Sequence, residues 1–141
     1  MKRAVIVYRS QTGTTRRLVN EIGAFMATRD IEPQVDSVGE CNMETLREAD
    51  YVLLGCWTSG LFVIGQHPDL PWVEFTRAMP VLSRPRIGLF TTYRLATGSM
   101  FAQMRRHLAG HAPAPVLELK SRNGLLSESN QRAIERFIAG A

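Results

Sequence analysis

Apolar runs and helical patterns alternate along the chain. Ala4 to Tyr8 is a continuous, largely β-branched run, the pattern of a strand buried on both faces. From Thr14 to Thr28 the residues Leu18, Ile22 and Phe25 recur on one face, which predicts a helix. Gln34 to Val38 alternates polar and apolar, as a half-buried edge strand does, and Thr45 to Ala49 has room for a short helix at most. Tyr51 to Cys56 is a second continuous buried run, and Trp57 to about His67 reads as a loop. Asp69 is placed to cap a helix with Pro71 in its first turn, reaching about Ala78. Arg86 to Thr91 predicts the fourth strand and Thr92 to Thr97 a loop. A helix from Gly98 or Ser99 to Leu108 follows, with Met100, Met104 and Leu108 spaced by four. Pro115 to Leu119 is the fifth strand, and Ser127 caps a last helix with Ile134, Phe137 and Ile138 on its apolar face.

Strands alternating with helices predict an α/β fold with a parallel sheet and helices on both faces. Right-handed crossovers leave few topologies. The doubly wound order 2-1-3-4-5 puts its switch point between the first and third strands, and ligands bind there at the carboxyl ends. The loops at that edge are Arg9–Thr15, Trp57–His67 and Thr92–Thr97, all polar or glycine-containing. No repeat, linker or low-complexity segment divides the chain, so residues 1–141 are expected to form one domain.

Composition narrows the classes. No apolar run is long enough to span a membrane. Met1-Lys2-Arg3 leads directly into a short strand and lacks the apolar core of a signal peptide, so a cytoplasmic location is the expectation. Cys41 and Cys56 form no Cys-x-x-Cys pair and have no zinc spacing, which fits a reducing compartment. Cys41 and Arg47 match the Cys-x5-Arg phosphatase pattern, but that loop has no glycine, and Thr45-Leu46-Arg47 reads as a helix start. His67, His107 and His111 are not at metal-ligand spacing, and no metal is expected. There is no P-loop, no acidic cluster ending the first strand and no nucleophile elbow. The formal net charge is +4, carried by scattered arginines such as Arg16-Arg17, Arg84 with Arg86, and Arg105-Arg106. None forms a nucleic-acid arm, and a positive surface favours acidic partners.

The densest chemistry lies after the first strand, in Ser10-Gln11-Thr12-Gly13-Thr14-Thr15. A strand, a polar loop and then a helix N-terminus make an anion site. The first helical N–H groups lack internal partners, and the helix dipole favours negative charge there. Hydroxyls at Ser10, Thr12, Thr14 and Thr15 add donors, and Gly13 allows close backbone approach. The loop resembles the FMN-phosphate loop of flavodoxins, (Thr/Ser)-x-Thr-Gly-x-Thr, and the absence of a long insertion after the fifth strand resembles the short-chain members. The resemblance implies a flavodoxin-like fold, bound FMN as cofactor and electron transfer between redox partner proteins.

It also implies a ring site in the loops after the third and fourth strands. Gly55-Cys56-Trp57-Thr58-Ser59-Gly60 is similar to the first of these, and Thr92, Tyr93, Arg94 and Thr97 occupy the place of the second. If Gly55 and Thr58 match the family's Gly-x-x-Thr, its frequent stacking tryptophan falls at Ser59, so Trp57 sits two positions early. Leu61 or Phe62 would then cover the inner face of the ring. Flavodoxin ring loops are usually acidic, whereas residues 57–67 hold no acid and the other loop carries Arg94. A cation there stabilises an anionic reduced flavin, so the expected potential is less negative than in acidic flavodoxins. An FMN-dependent reductase of a quinone or other small acceptor, and a flavin-free interaction module, stay open beside the carrier. A monomer or weak dimer, without nucleic-acid or membrane partners, is expected.

Overall fold

In the computed structural model the described residues are 1–61 and 64–140, with backbone alone for residues 60, 61, 64 and 65. The expectation for Phe62 lies outside them. The elements run β1 (Lys2–Arg9), α1 (Thr14–Ala27), β2 (Ile31–Ser37), α2 (Glu44–Glu48), β3 (Tyr51–Trp57), β4 (Ser59–Leu61), β5 (Ile64–His67), α3 (Leu70–Ala78), β6 (Arg86–Thr92), α4 (Met100–Leu108), β7 (Leu117–Ser121) and α5 (Glu128–Ala139). Five strands form one parallel sheet in the order β2-β1-β3-β6-β7, the doubly wound 2-1-3-4-5 arrangement.

Alternate residues of the central strands face opposite layers, as the pleat requires. Val5, Val7, Val52, Leu54, Ile87 and Leu89 pack with Trp72, Phe75, Met100 and Met104 from α3 and α4. Ala4, Ile6, Leu53, Phe90 and Leu119 pack with Leu18, Ile22, Ile134 and Phe137 from α1 and α5. Both layers exclude water, which is why the β1 and β3 runs are apolar at every position. Gly55 lies opposite Phe90 in the β3–β6 register. A Cβ there would collide with the Phe90 carbonyl and ring.

Three expectations change. The segment after β3 is not an open loop: β4 and β5 pair antiparallel, Ser59 opposite His67. Backbone N–H and C=O groups near a half-buried surface need partners, and a short hairpin supplies them locally. Next, β2 begins at Ile31, earlier than the polar alternation indicated, and takes in Pro33. Proline is tolerated because β2 is an edge strand. Finally, β7 spans 117–121 rather than 115–119. Proline 115 has no N–H to donate, and the first bond beyond it runs from the Val116 N–H to the Ile87 carbonyl. Ser127 caps α5 as expected, its side chain accepting from the Asn130 N–H at 3.1 Å.

Candidate functional site

The loop between β1 and α1 is built around Gly13, which takes a left-handed φ of 92° at the N-cap of α1. Its N–H donates to the Ser10 Oγ at 3.0 Å, closing the turn. No side chain caps α1 and no acid sits in its first turn, so its N-terminal donors and the positive end of its dipole face outward uncompensated. The Thr12 and Thr14 hydroxyls lie 3.5 Å apart, and both line a cavity together with Gln11. Thr15 is turned inward instead. It is buried, and its hydroxyl lies 2.6 Å from that of Thr92. Ser10 and Gly13 shape the loop but do not line the cavity.

The cavity, about 550 Å³, extends from these threonines across the ends of β3 and β6. That volume lies in the range of small-molecule sites, about 300–1,000 Å³. Trp57, Thr58 and Ser59 line it from the β3 side, and Thr92, Tyr93 and Arg94 from the β6 side. Leu95, Ala96, Gln66 and Arg122 complete the wall. Gly60 is in β4, and Thr97 is not among the lining residues; its carbonyl accepts from the Met100 N–H at the start of α4.

A chain of hydroxyls holds the two sides together. The Thr58 N–H donates to the Thr92 carbonyl at 2.8 Å, and the Thr58 and Thr91 hydroxyls meet at 2.8 Å. The Thr91 hydroxyl also donates to the Cys56 carbonyl at 2.7 Å. Trp57 is held separately. Asp69, expected as the cap of α3, occupies that position with no side-chain cap. Its carboxylate accepts instead from the Trp57 indole N–H at 3.1 Å and from Arg9 at 2.8 Å. The three residues come from β1, β3 and the start of α3, so the tryptophan is aimed by a buttress no single segment supplies.

Among the described residues no Asp or Glu lines the cavity. Two cations do, Arg94 and Arg122, and Arg122 and Lys120 lie 5.4 and 5.9 Å from the Tyr93 ring centroid. Cys56, at the end of β3, is fully buried, and burial pushes its thiol up to about 12, so it is no nucleophile at neutral pH. Burial, with the charge of Asp36, raises Cys41 to about 11, and Arg47 pairs with Glu44 at 3.7 Å. A phosphatase thiolate needs the opposite shift. Among the described residues no group of three His, Cys, Asp or Glu is placed to hold a metal, and no helix is long and apolar enough to cross a membrane.

Four lining residues were not singled out in the sequence. Arg122 follows the last strand at the carboxyl edge, a position the topology alone would have flagged. Leu95 and Ala96 belong to a loop already implicated. Gln66 is buried on a hairpin that had no clear pattern of its own.

A doubly wound sheet with an uncapped helix N-terminus, hydroxyls and an aromatic-lined slot at its switch point defines a site for an anion carrying a flat group. No family model matches the chain. A curated flavodoxin of Megasphaera elsdenii is 30% identical over 93 residues, 66% of each chain, so the match spans about two thirds of that relative's length. The solution structure of two-electron-reduced M. elsdenii flavodoxin has a TM-score of 0.75 at 19% identity, covering 98% of this chain and 99% of that one. Rubredoxin:oxygen oxidoreductase from Desulfovibrio gigas matches at a TM-score of 0.68 and 12% identity, over 99% of this chain but only 35% of its own. The chain belongs to the flavodoxin family.

Proposed function

We propose that the chain is a single-domain, cytoplasmic FMN carrier that passes electrons between protein partners with acidic faces. The observation that carries this reading is the continuity of the cavity. It joins Thr12 and Thr14, beside the uncapped α1 N-terminus, to Trp57 and Tyr93. A ligand with a phosphate at one end and a flat apolar ring at the other matches that sequence of surfaces. Bound FMN would supply the redox chemistry. The chain's own residues do the rest. The α1 N–H groups with Thr12 and Thr14 bind the phosphate, and Ser10, Gly13 and Thr15 hold the loop in shape. Trp57, Thr58, Ser59, Gly60, Thr92, Tyr93 and Thr97 build the ring side, and Gln11 closes the phosphate end. Arg94 and Arg122 favour negative charge in the slot, which moves the flavin potential in the less negative direction.

Titration with FMN and with riboflavin tests the reading. FMN should bind much more tightly than riboflavin. Thr12→Ala should weaken FMN about ten- to a hundredfold, the loss of a hydrogen bond to a charged group, and leave riboflavin nearly unchanged. Failure of the wild-type chain to bind either flavin would overturn the reading. Oxidation of NAD(P)H by the loaded chain alone would replace the carrier with a reductase, whereas dependence on a separate reductase supports it. Potentiometry of Arg94→Ala should show a more negative potential than wild type.

A further inference from the structure

Charge is divided unevenly around the cavity mouth. Five ion pairs join described residues: Arg9–Asp69, Arg29–Glu135, Arg47–Glu44, Arg84–Asp50 and Arg105–Glu118. Arg94, Lys120 and Arg122 take part in none of them. All three are exposed. Lys120 and Arg122 are drawn to the electron-rich ring of Tyr93, which holds them in place without neutralising them. Two acids of neighbouring segments are engaged elsewhere. Asp69 is taken by Arg9 and Trp57, and Glu118, on the same strand as Lys120, by Arg105. Asp36 and Glu40 belong to the opposite edge of the sheet, at the end of β2.

We propose that Arg94, Lys120 and Arg122 form a docking surface for an acidic protein, seated over Tyr93 beside the cavity mouth. This rests on the carrier reading and deepens it, since it names the place where the acidic partner sits and the residues that hold it. A carrier must release its partner quickly, so its interface is small and relies on electrostatic steering rather than on buried area. Three exposed cations at the edge of the redox slot meet that need. A nucleic acid is the poorer match, because its phosphates call for a long basic stripe; Arg17 lies nearby, bonded to the Asn123 carbonyl, but Arg29, Arg47, Arg84 and Arg105 are each paired with a carboxylate.

The test uses poly-L-glutamate as the acidic probe and a 20-base-pair DNA duplex as its comparison, with binding followed by anisotropy at two salt concentrations. The full chain is used both FMN-loaded and free. One variant carries R94E, K120E and R122E together. A control carries R77E, R106E and R132E, three exposed arginines elsewhere with the same change in net charge. The glutamine triple R94Q, K120Q and R122Q guards against a folding defect, checked by circular dichroism.

Poly-L-glutamate should bind the loaded wild type, weaken with salt and lose at least tenfold in the first triple and several-fold in the glutamine triple. The control triple should lose less than threefold. K120E alone should lose about threefold, although Lys120 does not line the cavity. Equal losses in both glutamate triples would reduce the effect to net charge and overturn the proposal. Tighter binding of DNA through the same three residues would overturn it in favour of a nucleic-acid surface. A loss seen only in the FMN-free chain would assign the cations to the cofactor's phosphate instead. Absence of FMN binding in wild type would defeat the carrier reading on its own evidence, separately from the probe result.

Discussion

The two ends of the sheet are built differently. At the amino-terminal end most polar groups satisfy one another, although the buried Arg86 Nε has no hydrogen-bond partner among the described residues. The Asp50 carboxylate accepts from the Arg3 N–H at 2.9 Å and from Arg84 at 3.1 Å, while its own N–H donates to the Arg3 carbonyl at 3.0 Å. The Tyr51 hydroxyl donates to the Ile138 carbonyl at 3.0 Å, and its ring packs on Phe137 with centroids 5.3 Å apart. Arg86 lies over the same phenylalanine, and Arg29 pairs with Glu135. At the carboxyl-terminal end α1 has no side-chain cap, and among the described residues no acid lines the cavity wall and Arg94, Lys120 and Arg122 join no ion pair. Polar groups at a closed end contribute to stability because their partners are built in. Groups at the open end await a ligand, so the same chemistry is expressed as affinity. The division predicts that mutations at one end move stability and those at the other move binding.

Phe137→Ala should have the largest effect. It removes a buried ring that joins α5 to β3, and large-to-small aromatic changes of this kind cost about 3–5 kcal/mol. Urea unfolding should show that loss, while the FMN affinity of the still-folded variant stays within about twofold of wild type. A parallel fall in affinity would erase the distinction between the two ends.

Asp69→Ala should do the reverse. Exposed and half-exposed ion pairs contribute little, about 0–1 kcal/mol, so the unfolding midpoint should barely move. The freed Trp57 should become more accessible to a fluorescence quencher, and FMN affinity should fall several-fold. Asp69→Asn should recover part of the affinity, because its amide oxygen still accepts from the indole N–H. A Trp57→Phe background separates this signal from Trp72. A large stability loss with unchanged quenching would make Asp69 a structural residue only.

The smallest effect belongs to Asp50→Asn and appears only against pH. The Arg3 N–H, and then Arg84, hold the Asp50 carboxyl below its ordinary 3.8. A carboxylate with a lowered folded value stabilises the fold at pH above its unfolded value, and the contribution disappears as pH falls through the folded one. The difference between wild type and variant should therefore be constant at neutral pH, begin to shrink near pH 4 and vanish only in stronger acid, below the lowered folded value. FMN affinity should not follow it. A difference that persisted into strong acid would show that the charge of Asp50 is not what stabilises this end.

Much of this was legible in the chain itself. The continuous runs at 4–8 and 51–56 read as buried strands, and Leu18 and Ile22 marked the buried face of α1. Right-handed crossovers left few strand orders, and the flavodoxin resemblance pointed to the one found. The anion loop was readable because glycine, hydroxyls and a helix start are contiguous in sequence. The ring side was less so. Residues 57–67 show neither a period of two nor one of 3.6, so the hairpin left no imprint. Asp69 looked like a cap because it stands just before Leu70 and Pro71, and nothing local announces Arg9, 60 residues earlier, as its partner.

Local rules therefore settled which segments are strands and helices, which faces are buried and where an anion is welcome. Each depends on neighbours within a few residues, through backbone sterics, side-chain periodicity and unpaired helix N–H groups. Only the tertiary structure decided that Thr15 would turn in to Thr92, that Asp69 would aim Trp57, and that Arg122 would join Arg94 at the cavity mouth. Those outcomes depend on which strand ends the crossovers bring together, and a side chain of several polar options takes the partner that burial leaves it.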